Sequence, residues 1–319
     1  MLDLKLIRSQ PEEIAENCRK RNVHVDIEKL LELDEQVRQI TTEVDSVRQR
    51  RNEISKEMKG KILSDEPQPL IEESKNLRNE ESEKESFLHE LVEQRLNLLK
   101  QVPNLTHPDS PEGLTDEDNM PIREVGTIRK FDFEPKDHLE LMEALDLIDF
   151  DGGAKVSGQK FYYLKNQAVF LELALAQYAL GLLQKEGFTV HMTPDLARSQ
   201  ILDGIGFSPR GEETQIYSLE DSDLCLIATA EITLGGLLAD QVLKADQLPI
   251  LYAGFSHCYR TEAGAAGRES RGLYRVHQFS KIEMFAFTHP EKSEEMHEKM
   301  CEIEEQIYQD LEIPYQLVN

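Results

Sequence analysis

Residues 27 to 59 carry apolar side chains at alternating steps of three and four. The series is Leu30, Leu33, Val37, Ile40, Val44, Val47, Ile54 and Met58, interrupted only at Arg51. A seam with this period forces a helix to bury one stripe against a partner, the pattern of a coiled coil. Gly60, Pro67 and Pro69 then end the helix. A second run, from 70 to 101, keeps heptad register with Leu70, Leu77, Leu88, Leu91 and Leu98, broken by Ser74, Glu81, Lys84 and Arg95. Two such helices joined by a short turn predict an antiparallel hairpin that projects roughly 45 Å. Upstream, Ser9, Pro11 and Glu12 have the spacing of a helix cap with a capping box.

The hairpin's charge is uneven. Residues 46 to 61 hold Arg48, Arg50, Arg51, Lys56, Lys59 and Lys61 against Glu53 and Glu57, a net of +4. Residues 72 to 85 hold six glutamates against Lys75, Arg78 and Lys84, a net of −3. Two readings stand side by side: a cross-helix salt-bridge lattice, or a basic strip that tracks phosphates. The whole chain carries a net charge of −25, which argues against nucleic-acid binding. Backbone phosphate, however, feels only the potential within a Debye length, about 8–10 Å.

A proline-rich, acidic segment from 101 to 126 marks a domain boundary, with an arm over 1–104 and a second domain over 105–319. Beyond it, 137–148 reads as an amphipathic helix, 160–187 as a strand and a long apolar helix stopped by Gly187, and 290–311 as a closing helix. Residues 252 to 287 read as two strands joined by a glycine-bearing loop rich in charge, with Arg260, Glu262, Arg268, Glu269, Arg271, Arg275, Lys281 and Glu283. Several arginines gathered at one loop suit an anion, because guanidinium matches phosphate with two bonds. Strands and helices do not alternate regularly, and neither GxGxxG nor GxxxxGK[ST] occurs. The class expected is α+β, an antiparallel sheet flanked by helices behind a coiled-coil arm.

Cys18, Cys225, Cys258 and Cys301 are far apart and form no CxxC pair, which points to reduced thiols. His257, Cys258 and His277 fit no zinc spacing, so no metal site is assigned. No apolar stretch approaches the roughly eighteen residues of a membrane span. The start, MLDLKLIRSQPEEIAENC, lacks a targeting pattern. A cytoplasmic protein is expected, with mitochondrial or plastid forms as alternatives.

With these residues in order, the chain resembles the seryl-tRNA synthetases, which are class II enzymes. GFTVHMTPDL with Pro194 resembles motif 1, the dimer-interface element. Thr229, Ala230 and Glu231 resemble the serine-recognising TxE triplet. CYRTEAGAAGRESRGLYRVHQFSKIE resembles motif 2 closely. The resemblance implies a serine–tRNA ligase that joins L-serine to ATP as seryl-adenylate and passes it to tRNA(Ser). It implies Arg260 as the catalytic group bridging the serine carboxylate and the α-phosphate. It implies ATP contacts at Arg260, Thr261, Glu262, Val276, His277, Gln278 and Phe279, with Phe279 on the adenine, and serine contacts at Thr229, Ala230, Glu231 and Glu283. Glu262, two residues past Arg260, is expected on the same strand face. Arg268 and Arg271 would cover ATP and the tRNA end, with Gly264 and Gly267 turning their loop. The resemblance further implies tRNA binding by Arg48, Arg50, Arg51, Lys56, Lys59 and Lys61, a homodimer through the region of Pro194, and Mg²⁺ on ligands outside this chain.

Two small departures are Tyr259 where Phe is usual and Thr261 where Ser is common. A larger one is that motif 3, with its γ-phosphate arginine, would follow residue 319. The expectation is a fragment that does not make the adenylate alone. The alternatives weighed are a catalytically inactive synthetase-like protein that binds tRNA or dimerises, and a structural coiled-coil protein. The last leaves the spacing of Thr229, Glu231, Arg260, Glu262 and Glu283 unexplained.

Overall fold

The computed structural model describes residues 1–60, 68–113, 115–207, 215–262 and 272–319. These fall into two compact units, Met1–Met120 with Asn319, and Pro121–Val318.

In the first unit, helices α1 (Leu4–Ser9), α2 (Pro11–Lys20), α3 (Ile27–Gly60) and α4 (Gln68–Leu99) follow one another. The cap expected at Ser9 is not made. Asp3 caps α1 instead, accepting from Lys5 N at 2.8 Å. Ser9 is already helical, so its hydroxyl donates back to Leu6 O at 2.9 Å, and α2 opens behind Gln10 with no side-chain cap.

The two long helices form the expected antiparallel hairpin, since early residues of α3 meet late residues of α4. Arg95 Nη1 lies 2.8 Å from Asp34, Lys84 pairs with Glu43, and Arg50 lies 3.0 Å from Glu73. Leu33, Val37 and Leu91 are buried in the seam, with Ile40, Leu88, Val92 and Leu98 packed against them. Four polar interruptions of the seams find cross-helix partners: Arg51 and Glu81 with each other, Arg95 with Asp34, and Lys84 with Glu43. Pairs of this kind fix which turn meets which, because a slip would bury a charge unpaired. Below the hairpin, Ile7, Ile14, Cys18, Ile27, Leu30, Leu99 and Val102 form one apolar cluster that ties α1 and α2 to its base.

The second unit contains, in order, β1 (Pro121–Val125), α5 (His138–Ala144), β2 (Ile148–Asp149), α6 (Phe150–Ser157), β3 (Tyr163–Leu164), α7 (Gln167–Lys185), β4 (Thr189–Met192), β5 (Leu196–Arg198), α8 (Ser199–Ile205), β6 (Leu224–Leu226), α9 (Ala230–Gly236), β7 (Ile250–Tyr259), β8 (Gln278–Phe287), α10 (Ser293–Asp310) and β9 (Tyr315–Val318). α5 is shorter than its sequence pattern. Asp137 and Glu140 cap it reciprocally, but Asp146 takes a left-handed φ of 54° and turns the chain into β2.

The central sheet has the order β4-β7-β8. β7 and β8 pair antiparallel over their full length, from Ile250 opposite Phe287 to Tyr259 opposite Gln278. β4 departs from the antiparallel expectation and runs parallel to β7, with Thr189 opposite Tyr252. It reaches β7 by a long crossover through α8 and α9, the connection a parallel pair needs.

Strand alternation gives the β7–β8 ribbon two faces. Leu251, Ala253, Ile282 and Met284 pack on one face against Leu183 and Phe188 and against Met300 and Ile303 of α10. The other face carries Gly254, Ser256 and Cys258 opposite Glu283, Lys281 and Phe279. α9 lies on that face, and Gly254 lets it approach: a Cβ there would come 3.1 Å from Ala230 Cβ.

Candidate active site

Thr229 is the N-cap of α9, and its Oγ1 accepts from Glu231 N at 3.2 Å. A cap holds a hydroxyl at a fixed place on a helix end, so this residue is well suited to positioning. Thr229 is almost fully buried. Its Oγ1 donates to Glu283 Oε2 at 2.6 Å and accepts from Lys281 Nζ at 3.0 Å. Lys281 is also ion-paired with Glu283. The two lie on the same face of β8 because they are two residues apart.

Glu231 sits beside this triangle. Burial pushes its carboxyl upward, the charge of Glu283 pushes the same way, and Lys281 opposes both. Among the described residues, no hydrogen bond or ion pair occupies its carboxylate. A half-buried carboxylate without a partner, next to a satisfied one, is a receptor for a cation.

Arg260 follows the last residue of β7. Its guanidinium carbon lies 5.0 Å from the centre of the Phe279 ring, and its Nε is buried without a partner among the described residues. Phe279 stands on the same face of β8 as Lys281 and Glu283, opposite Cys258. Thr229, Glu231, Arg260 and Glu283 therefore gather over one face of one ribbon.

Other expected contacts fall differently. Glu262 does not share a strand face with Arg260, because β7 has ended at Tyr259 and Glu262 turns left-handed at φ 51°. It is tied to Arg275 Nη1 at 3.3 Å. Thr261 N donates to Gln215 O at 3.2 Å. The side chain of Ala230 is fully buried where α9 meets Gly254, so it packs and does not line the hollow. Val276 is buried. His277 Nδ1 lies 2.9 Å from Arg260 O, which assigns the donor proton to Nδ1. The alternation of β8 puts the side chain of Gln278 on the face opposite that of Phe279. Gln278, Phe279 and Ser280 nevertheless line one small cavity of about 210 Å³ with Tyr162, Glu172 and His257. Arg268, Arg271, Gly264, Gly267 and Glu269 lie outside the described residues.

Lys281 is the residue the sequence reading did not assign, although the signal was present. Lys281 and Glu283 share the period of Phe279, so a strand through them must present all three together.

In the arm, Arg48 pairs with Glu81 at 3.1 Å and Glu85 at 2.7 Å, and Arg50 with Glu73 at 3.0 Å. Arg51 pairs with Glu81. The lattice reading thus holds for these three. Lys56 is exposed and has no ion pair with a described residue. Lys61 and the side chain of Lys59 lie outside the description.

All four cysteines are free. Among the described residues there is no group of three His, Cys, Asp or Glu that could hold a metal ion. No described helix is long and apolar enough to cross a membrane.

A coiled-coil arm followed by an antiparallel strand pair that presents an arginine, a phenylalanine and a glutamate on one face is what the resemblance to a class II aminoacyl-tRNA synthetase implies. Residues 215–319 match the tRNA synthetase class II core domain (G, H, P, S and T), and residues 1–106 match the seryl-tRNA synthetase N-terminal domain. The chain belongs to the seryl-tRNA synthetase family. It is 51% identical over 322 residues to the serine–tRNA ligase of Dictyoglomus thermophilum and 47% identical over 319 residues to that of Treponema denticola. All of this chain is covered in each case, and 76% of each relative. The crystal structure of seryl-tRNA synthetase from Pyrococcus horikoshii complexed with ATP superimposes with a TM-score of 0.84 at 37% identity, covering 100% of this chain and 76% of that one. The cytoplasmic serine–tRNA ligase of Naegleria fowleri in complex with AMP gives 0.79 at 29% identity, covering 100% and 75%.

Proposed function

We propose that this chain carries the serine and ATP sites of a serine–tRNA ligase. Serine's carboxylate attacks the ATP α-phosphate and displaces pyrophosphate, and the seryl group then passes to tRNA(Ser). Arg260 neutralises the two anions as they meet and the charge that gathers between them. Its present resting place over Phe279 is the surface assigned to adenine, so nucleotide entry moves the guanidinium toward the phosphate. Glu231, beside Thr229, receives serine's ammonium, and Glu283 faces its amino and hydroxyl groups. A pocket built to hydrogen-bond a hydroxyl rejects the analogue lacking it by roughly 10⁴-fold.

The observation that carries this reading is the 2.6 Å bond from Thr229 Oγ1 to Glu283 beside the carboxylate of Glu231, which has no partner among the described residues. Thr261, Glu262, Val276, His277 and Gln278 are assigned to ATP on the family resemblance alone, and Val276 and His277 act through packing and backbone. Of the arm's basic residues, those not held in the lattice, Lys56 among them, are assigned to tRNA(Ser) by shape and phosphate contact. Homodimerisation is assigned to α7 and β4, next to Pro194, where Phe170, Leu173 and Met192 are exposed. Free thiols fit a cytoplasmic location.

Calorimetric titration of the 319-residue chain tests the assignment. Saturable binding of serine, lost with Glu231→Gln and at least a thousandfold weaker for alanine, is expected. Alanine bound as tightly as serine overturns it.

A further inference from the structure

We propose that Lys281 sets the charge of the amino-acid hollow: its ammonium neutralises Glu283 and holds Thr229 Oγ1, so that Glu231 alone is left to receive one substrate ammonium. This rests on the serine assignment above.

The geometry separates this from an ordinary surface ion pair. Lys281 Nζ touches both Glu283 and the buried hydroxyl of Thr229, at 3.0 Å for the latter. Thr229 Oγ1 already accepts from Glu231 N, and it donates to Glu283 at 2.6 Å. The lysine thereby completes the hydroxyl's bonds and fixes its proton toward Glu283. Glu283 is left with a neutralised, oriented carboxylate, able to meet a neutral hydroxyl. Glu231 is left as the single uncompensated charge.

The groups facing the hollow come from three elements. α9 and its cap supply Glu231 and Thr229. β8 supplies Lys281 and Glu283. β7 supplies Ser256, opposite Lys281, and the buried Cys258 thiol, which burial pushes up so that it stays uncharged. Arg260 stands beyond, over Phe279. The local sum for Glu231, Glu283 and Lys281 is −1, matched to one ammonium. Without Lys281, two carboxylates would share a half-buried place, and such a pair retains a proton. An incoming ammonium would then have to expel that proton, and affinity would rise about tenfold per pH unit until the pair ionised.

Two measurements on the full chain test this. The first needs no serine. Infrared spectra near neutral pH are recorded for the wild type, Lys281→Met, Lys281→Gln and Lys281→Arg. A protonated-carboxyl band is expected in the Met and Gln forms, absent in the wild type and the Arg form, and removed from the Met form by adding Glu231→Gln. The Gln form keeps a donor to Thr229, so it serves where Met perturbs folding. The second is serine affinity against pH. It is expected to be flat near neutrality for the wild type and Lys281→Arg, and to climb about tenfold per unit for Lys281→Met. A folded Met or Gln form without the infrared band, or with the wild-type pH profile, overturns the role of Lys281. A wild type that binds no serine overturns the substrate assignment instead, while the infrared comparison still decides the charge.

Discussion

Gly254 of β7 lies directly beneath Leu234 of α9: a Cβ built on the glycine would stand 2.9 Å from Leu234 Cδ1. The helix that carries the Thr229 cap and Glu231 is therefore seated by a missing side chain. Gly254→Ala is expected to cost about 1 kcal/mol, and Gly254→Val up to about 3 kcal/mol, as overpacking usually does. Because the strain lifts the end of α9, the Val form should also lose serine affinity by more than tenfold while keeping its far-ultraviolet circular dichroism. Thermal melts and calorimetry on the two variants check both effects.

The Arg260–Phe279 contact predicts a separation of the two substrates. Phe279→Leu keeps an apolar side chain but removes the π-face. Base stacking on an aromatic ring is worth about 1–3 kcal/mol, so ATP should bind about tenfold more weakly or worse. Serine bound without ATP should be unaffected, since Phe279 lies four residues from Glu283 along β8 and stacks with Arg260. Equal losses for both ligands would remove Phe279 from the nucleotide site.

Much of this was legible in the residues. The heptad series fixed the hairpin because a seam has only one way to be buried. The β7–β8 ribbon was legible from two apolar runs around a glycine-bearing loop. The failures came where a local rule was carried past its element. Alternation placed Glu262 beside Arg260, but alternation ends with the strand, and β7 ends at Tyr259. Ser9 looked like a cap, but Asp3 had already started a helix through it. Asp34 gave no sign of burial, since it lies outside the heptad series. Its partner Arg8 reaches it from α1, 26 residues earlier in the chain. Lys281 looked like any charge in a charged loop until β8 placed it against Thr229.

Asp34 predicts an acid limb in the arm's stability. Burial pushes its carboxyl up, but hydrogen bonds from Arg8 at 2.7 Å and Arg95 at 2.8 Å outweigh this and hold it below the usual carboxylate range. A group whose folded value is depressed stabilises the fold above its unfolded value, about 3.9 for Asp. That contribution is lost as pH falls toward the lower folded value. Denaturant melts of the wild type should weaken through this window, whereas Asp34→Asn should be weaker at neutral pH and much flatter in acid. The buried position and two charged partners put the neutral-pH loss at about 3 kcal/mol.

The arm's basic residues should divide by their partners. Arg48 and Arg50 are held by Glu81, Glu85 and Glu73, so charge reversal there should chiefly loosen the hairpin. Lys56 has no described partner and is exposed. Lys56→Glu should leave the melting curve within about 0.5 kcal/mol, yet weaken tRNA(Ser) binding and lower the salt slope by about one. Filter-binding curves at several salt concentrations check this. An unchanged slope would move Lys56 out of the RNA-contacting strip.

The apolar face of α7 gives the last prediction. Phe170 is 72% exposed and Leu173 57%, and on β4 Met192 is 83% exposed. A 19-residue helix with only Ala168 and Leu183 buried has most of its apolar surface still to cover. A second copy of this chain docked there would need to bury about 800 Å² per partner for a stable dimer. Sedimentation of the wild type should show a dimer at micromolar concentration. Phe170→Glu with Leu173→Glu should sediment as a monomer, since each charge would be driven into an apolar contact at a cost of several kcal/mol. The double variant's own fold should persist, because neither side chain contributes to the core that Leu183 and Phe188 make with Ala253. A dimer that survives the double substitution would place the interface away from α7.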